Sequence, residues 1–202
     1  MQDANSGLSI WSGQVTLTNP ATGYSAAIEG GTFELANVAA GTYTLTINTV
    51  FYKPLQKQVV VTNSNISITE KMTPLFSSGE LDLLARLVYA EAKGEIYEGQ
   101  VAVAASVLNR VLHPDYPNSL SGVINEVVVS GGKRDYQYEP VLNGTIEIPA
   151  SQTAKNAVSD ALAGWDPSLG ATGFFAPKKV GPSSWVWSRT PTVTIGNHRF
   201  FK

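Results

Sequence analysis

Glu91 stands where a carboxylate is least expected. A helix read over about residues 79–93 puts Leu84, Leu87 and Val88 on one stripe, and Glu91 follows on that stripe at helical spacing. Burying a charged carboxylate is costly, so such a residue is paired, protonated or lining a cleft. Burial raises a carboxyl pKa, and a Glu held near pH 6 donates a proton to a leaving group. Gly94 should end the helix, leaving Glu91 near a C-terminus whose dipole also disfavours negative charge. General acid catalysis is the chemistry this suggests; a part-exposed or salt-bridged Glu is the structural alternative. Glu95, one turn on, is a possible second carboxylate, a cap for the next helix, or a partner of Arg86 or Arg110, and the structural roles are favoured.

The elements that must position Glu91 lie after residue 75. Ser77 and Glu80 have capping-box spacing at the start of the first helix. A second helix is expected over about 98–112, with Val101, Ala105, Leu108 and Leu112 on one stripe. A third is expected over about 152–163, with Ser151 as N-cap and Gly164 as the stop. Asn109, polar within a helix, suggests a buried hydrogen-bonding role. Gly173–Ala176, Trp185–Ser188 and Thr192–Ile195 read as short strands.

The first 74 residues have a different grammar. Apolar and polar residues alternate at Val15/Leu17, Phe33/Leu35, Tyr43/Leu45/Ile47, Val59/Val61 and Ile66/Ile68, with turn signals between. Five or six such strands suggest a small β-sandwich. Pro74 restricts the residue before it and marks the boundary. The expected fold class is therefore α+β in two domains, 1–74 and 75–202.

Composition narrows the function. The chain has 202 residues and a formal charge of −2, without the basic excess of a nucleic-acid binder. It has no Cys, which removes disulfides, thiolate metal sites and Cys nucleophiles, and only His113 and His198 for a His-based metal site. No cofactor or metal is expected. No apolar run reaches the roughly 20 residues that cross a bilayer. The opening Met1-Gln2-Asp3-Ala4-Asn5 does not read as a signal peptide, so the chain is cytosolic or has lost a leader. No G-x-S-x-G or Walker sequence occurs.

Two resemblances add to this reading. Leu84-Ala85-Arg86-Leu87-Val88-Tyr89-Ala90-Glu91-Ala92-Lys93-Gly94-Glu95 leads into Tyr97-Glu98-Gly99-Gln100-Val101-Ala102-Val103-Ala104-Ala105-Ser106-Val107-Leu108-Asn109-Arg110-Val111. Together they resemble the E-A-x-G-E…Y-E-G-Q-V-A-V-A…L-N-R-V signature of the SleB/CwlJ-type spore-cortex-lytic cell-wall hydrolase family. Tyr116-Pro117-Asn118, Gly122-Val123-Ile124, Gln137–Gly144, Gly164-Trp165-Asp166-Pro167, Phe174–Lys179, Trp185–Arg189 and Ile195–Phe200 resemble its later motifs, in order, over about 80–201. Ala176 stands where the family has Asn, and Val129–Tyr136 departs from its pattern. Separately, Gly30–Leu45 resembles the G-x-F-x-L-x-N-V-x-x-G-x-Y-x-L run of carboxypeptidase-regulatory-like, transthyretin-like modules, over about residues 8–73.

The first resemblance implies a peptidoglycan-cleaving glycosidase with a lysozyme-like, lytic-transglycosylase-like helical domain and Glu91 as catalytic acid. It implies a single acid/base forming 1,6-anhydro ends. Glu139 as a second carboxylate keeps plain muramidase hydrolysis open, and a non-catalytic wall-binding protein is the further alternative. A glycan groove needs aromatic platforms and hydrogen-bonding groups. Gln137, Tyr138, Glu139, Phe174, Phe175, Trp185, Trp187 and Arg189 are the candidates; core packing is the bland reading of the two Trp. His198 is expected to be structural rather than a base. The partner is then peptidoglycan, outside the membrane, acted on by a monomer exported with its leader trimmed. The N-terminal module implies a binding or spacer role toward wall polymer or protein.

Overall fold

The computed structural model describes residues 1–202, Ser130 by its backbone alone. The chain divides into two compact units, Met1–Leu75 and Phe76–Lys202.

In the first unit, β1 (Gln2–Asp3), β2 (Ser12–Thr18), β3 (Gly23–Glu29), β4 (Gly41–Asn48), β5 (Leu55–Val61) and β6 (Lys71–Met72) follow in order. A four-stranded antiparallel sheet has the order β3-β2-β4-β5, and β1 pairs with β6 in parallel. Period-two alternation sends Val15, Leu17, Ile28, Tyr43, Leu45, Ile47, Val59 and Val61 to one buried face. Asn19 Oδ1 accepts from the backbone of Ala21 and Thr22, both at 2.9 Å, and so closes the β2–β3 turn.

Two expected strands are absent. Gly30 and Gly31 have left-handed φ of +58° and +85° and form a tight corner. Phe33/Leu35 and Ile66/Ile68 then lie outside any strand. Their segments, with Leu17, Leu45, Val59 and Val61, line a cavity of about 910 Å³ whose lining residues all belong to this unit. Sequence missed β3, whose inward positions are Tyr24, Ala26 and Ile28, and the two-residue strands β1 and β6.

The second unit runs α1 (Ser78–Ala92), α2 (Tyr97–Leu112), α3 (Leu120–Ile124), β7 (Val127–Ser130), β8 (Lys133–Tyr136), α4 (Glu139–Asn143), α5 (Gln152–Leu162), β9 (Gly173–Phe175), β10 (Pro191–Ile195) and β11 (His198–Phe201). The capping box is present: Ser77 Oγ accepts from Glu80 N at 3.3 Å, and Glu80 Oε2 accepts from Ser77 N at 2.9 Å. Ser151 Oγ accepts from Ala154 N at 3.2 Å to start α5. α2 is the central helix, buried from Gly99 to Leu108, and packs against α1 and α5. Its small side chains, Ala102, Ala104 and Ala105, let the neighbouring helices approach closely.

A three-stranded antiparallel sheet, β10-β11-β9, completes the unit. Trp185–Ser188 is not a strand but a 3₁₀ turn, in which Ser188 Oγ donates to Trp185 O at 2.7 Å. No helix among the described residues is long and apolar enough to cross a membrane.

Candidate active site

Glu91 occupies the last turn of α1, half-buried, one turn beyond the fully buried Leu87 and Val88. Its carboxyl pKa is pushed up to about 7. Burial is the largest cause, the negative charge of Glu139 adds to it, and the Lys179 ammonium opposes it. A carboxyl in that range is available as a proton donor at neutral pH and as a base once it has given its proton. Glu139 is exposed at the start of α4. Lys179 closes a 3₁₀ turn over Pro177–Lys179. Sequence reasoning gave Lys179 no role: an exposed Lys after a Pro has no periodic context to single it out.

The loop before α4 is set by Arg110. Arg110 is buried on α2, and its Nε donates to Thr172 O. Its Nη1 donates to Gln137 Oε1 at 3.4 Å. The guanidinium also lies over two rings, 4.9 Å from the Tyr116 centroid and 5.2 Å from that of Tyr138. No carboxylate pairs with it among the described residues, so carbonyls and ring faces hold this buried cation. Tyr138 is itself buried, and its hydroxyl pKa is pushed up to about 12, chiefly by that burial, with the charge of Glu91 among the smaller causes. Tyr138 and Glu139 thus lie within electrostatic reach of Glu91, and Gln137 precedes them on the same loop.

Asn109 has the buried polar role expected of it. Its Nδ2 donates to Asp166 Oδ2 and Ala171 O, each at 3.0 Å. Asp166 in turn accepts from Ser168 N at 2.9 Å and Gly170 N at 2.8 Å, which fixes the loop leading to β9.

Glu95 pairs with neither Arg86 nor Arg110. Its Oε2 accepts from Asn197 N at 2.8 Å and its Oε1 from Asn197 Nδ2 at 3.1 Å. Burial alone pulls its pKa up, but these hydrogen bonds outweigh it and hold the group below its ordinary value. Glu95 therefore ties the β10–β11 turn to the end of α1. Gly196 in that turn has φ +57°, and a Cβ there would collide with Glu95 Oε2. His198 is buried between Phe174, at 5.1 Å between ring centroids, and Phe200. Burial lowers its pKa, so it is neutral near pH 7.

The remaining candidates separate on the sheet. Arg199 is paired opposite Phe175, and Phe200 opposite Phe174. Directly opposed residues share a face, so Phe174, His198 and Phe200 lie on one face, with Tyr138 at 6.5 Å from Phe174. Phe175, Arg199 and Phe201 lie on the other. Trp187 meets Phe175 edge-on at 4.9 Å, and Trp185 meets Phe201 edge-on at 6.1 Å. Trp185, Trp187, Phe175 and, beside them, Arg189 therefore gather on the face opposite to Tyr138 and Phe174.

The family model described as Cell Wall Hydrolase matches residues 94–201. The chain belongs to this cell wall hydrolase family. The match begins just after Glu91. The spore cortex-lytic enzyme of Bacillus subtilis (strain 168) is 42% identical over 134 residues, covering 66% of this chain and 41% of that protein. The spore cortex-lytic enzyme of Bacillus cereus (strain ATCC 14579) is 42% identical over 127 residues, covering 63% of this chain and 46% of that protein. The chain thus spans less than half the length of these curated relatives. Among solved structures, the catalytic domain of the germination-specific lytic transglycosylase SleB from Bacillus anthracis aligns with TM-score 0.56 and 41% identity, over 63% of this chain and 98% of that one. The second unit accordingly shares the fold of that catalytic domain.

Proposed function

We propose that the second unit cleaves the glycan strands of peptidoglycan as a lytic transglycosylase, with Glu91 as its single acid and base. The observation that carries this reading is a carboxyl on a buried helix stripe whose pKa is raised to about 7. Family membership and the SleB-like fold support the same substrate class. Glu91 donates its proton to the oxygen linking N-acetylmuramic acid C1 to N-acetylglucosamine C4, and the C1–O bond breaks. Positive charge develops at C1 while Glu91 becomes a carboxylate beside Lys179. Glu91 then takes the proton of the muramic C6 hydroxyl as O6 closes on C1. A 1,6-anhydro ring forms, no water is consumed and Glu91 is protonated again.

The half-buried Phe174 stands on the aromatic side of the proposed cleft, backed by the buried Tyr138, with Gln137 held by Arg110. Glu139 favours a second reading, hydrolysis, because its charge already acts on Glu91. A retaining or inverting hydrolase needs such a pair of carboxylates. Mass spectrometry of digested peptidoglycan separates the two. Anhydro ends, one water lighter than hydrolytic ends, are expected; hydrated ends alone would make the enzyme a muramidase. A wall-binding protein without activity would retain sacculi and release no soluble fragments.

For the first unit we infer a binding or spacer module of the carboxypeptidase-regulatory-like kind, directed at wall polymer or protein. The Gly30–Leu45 run and the antiparallel sheet support it. A peptidoglycan substrate supports action outside the cytoplasmic membrane.

A further inference from the structure

The face of the β10-β11-β9 sheet that carries Trp185 and Trp187 has a composition that structure alone does not require. Trp185 is 62% exposed and Trp187 36%. Both indoles are nonetheless held in place. Each has an edge contact with a Phe of the sheet, and Trp187 Nε1 donates to Gly181 O at 3.0 Å. Arg189 lies over the Trp185 ring at 5.0 Å, and Arg199 over the Trp187 ring at 5.5 Å. Neither guanidinium has a carboxylate partner among the described residues. Residues 167–202 carry Lys178, Lys179, Arg189, Arg199 and Lys202 and no Asp or Glu. An exposed, pre-ordered pair of indoles marks a binding surface. A guanidinium stacked on a ring keeps its N–H edge free for a carboxylate.

We propose that this face is a second binding platform, separate from the cleavage cleft, for a peptidoglycan strand with its acidic stem peptides. The two indoles receive the apolar faces of sugar rings, and Arg189 and Arg199 receive the peptide carboxylates. The inference rests on the reading of the second unit as a peptidoglycan-cleaving enzyme. It adds a point of attachment on the sheet face turned away from Tyr138 and Phe174. A rigid platform of this kind loses little side-chain entropy on binding, and linking it to the cleft raises the local concentration of cleavable strand.

The test uses the full chain carrying Glu91→Gln, so that sacculi stay intact, and measures cosedimentation with purified sacculi. Adding Trp185→Ala or Arg189→Gln is expected to weaken binding about tenfold each. Both sites are exposed, and circular dichroism checks that the variants are folded. Raising salt should weaken the parent more than the Arg189→Gln chain. Sacculi stripped of stem peptides should bind the parent and the Arg189→Gln chain alike. With Glu91 restored, the loss of kcat/KM on sacculi should exceed the loss on a soluble tetrasaccharide at least fivefold. Unchanged binding to sacculi overturns the platform. So does an equal loss on sacculi and tetrasaccharide, which would put the two Trp in the cleft. Equal binding of stripped and intact sacculi by the parent overturns the role of the arginines. If the parent enzyme with Glu91 cuts no sacculi, the catalytic reading fails instead, and the binding arms still decide the platform.

Discussion

Replacing Glu91 by Gln should stabilise the protein increasingly as pH rises from about 4.5 to about 7, and no further above it. The folded state raises this carboxyl from an ordinary 4.5 to about 7. For a group raised on folding, the folded state is favoured below the unfolded pKa, and that advantage is lost as pH rises through the folded value. At about 1.4 kcal/mol per pH unit, the difference between 4.5 and about 7 amounts to about 3 kcal/mol. Glu91 is only half-buried, so solvent screening brings this to about 2 kcal/mol. Gln mimics the protonated form at all pH values. Wild type and Glu91→Gln should therefore match at pH 4, and the variant should be more stable by about 2 kcal/mol at pH 8. Urea unfolding followed by tryptophan fluorescence reads this, because Trp165, Trp185 and Trp187 belong to the second unit. Release of soluble fragments should meanwhile vanish. A stability difference that stays constant from pH 4 to 8 would refute the argument, since Glu91 would then titrate as in water.

Other outcomes follow from the same contacts. Removing the Glu139 charge with Glu139→Gln should move the alkaline limb of kcat/KM, which reports Glu91 in the free enzyme, to lower pH; an unmoved limb would mean that Glu139 does not act on Glu91. The variant should keep forming anhydro products, whereas loss of activity by 100-fold or more would favour the hydrolytic reading. Arg110→Met leaves Thr172 O and the Gln137 amide without their donor and should lower stability by about 2–4 kcal/mol, measured as a fall in urea midpoint. Gly196→Ala forces a side chain into a left-handed conformation against Glu95 and should cost about 1–3 kcal/mol, seen in the melting temperature. Ser77→Ala removes the α1 cap for about 1 kcal/mol, with little change in product type.

Helices were legible because local rules settle them. The stripe Leu84/Leu87/Val88/Glu91, the Ser77–Glu80 box and the Ser151 cap each act within a few residues, and α1, α2 and α5 lie within a residue or so of their expected bounds. Glu91 stood out for the same reason, as a carboxylate breaking an apolar pattern. Strands depend on distant partners. Phe33/Leu35 and Ile66/Ile68 have the alternation but no ladder, while β3 has the ladder with only Ala26 at its central inward position. Trp185–Ser188 alternates like a strand, yet curls into a 3₁₀ turn whose indoles pack against Phe175 and Phe201. Two roles needed three dimensions. Arg110 acts across gaps of 27 and 62 residues to Gln137 and Thr172, and Glu95 across 102 to Asn197. The division of the aromatic candidates between two sheet faces needed the β9–β11 register. Local patterns carry no trace of such pairings.

Titration of the Glu91 carboxyl carbon by NMR, in the full chain with Glu91→Gln as the assignment control, tests the central claim most directly. A midpoint close to 7 is the expected result. A midpoint near 4.5 would show a carboxylate already ionised at neutral pH, and the acid proposed to cleave the glycan strand would not exist.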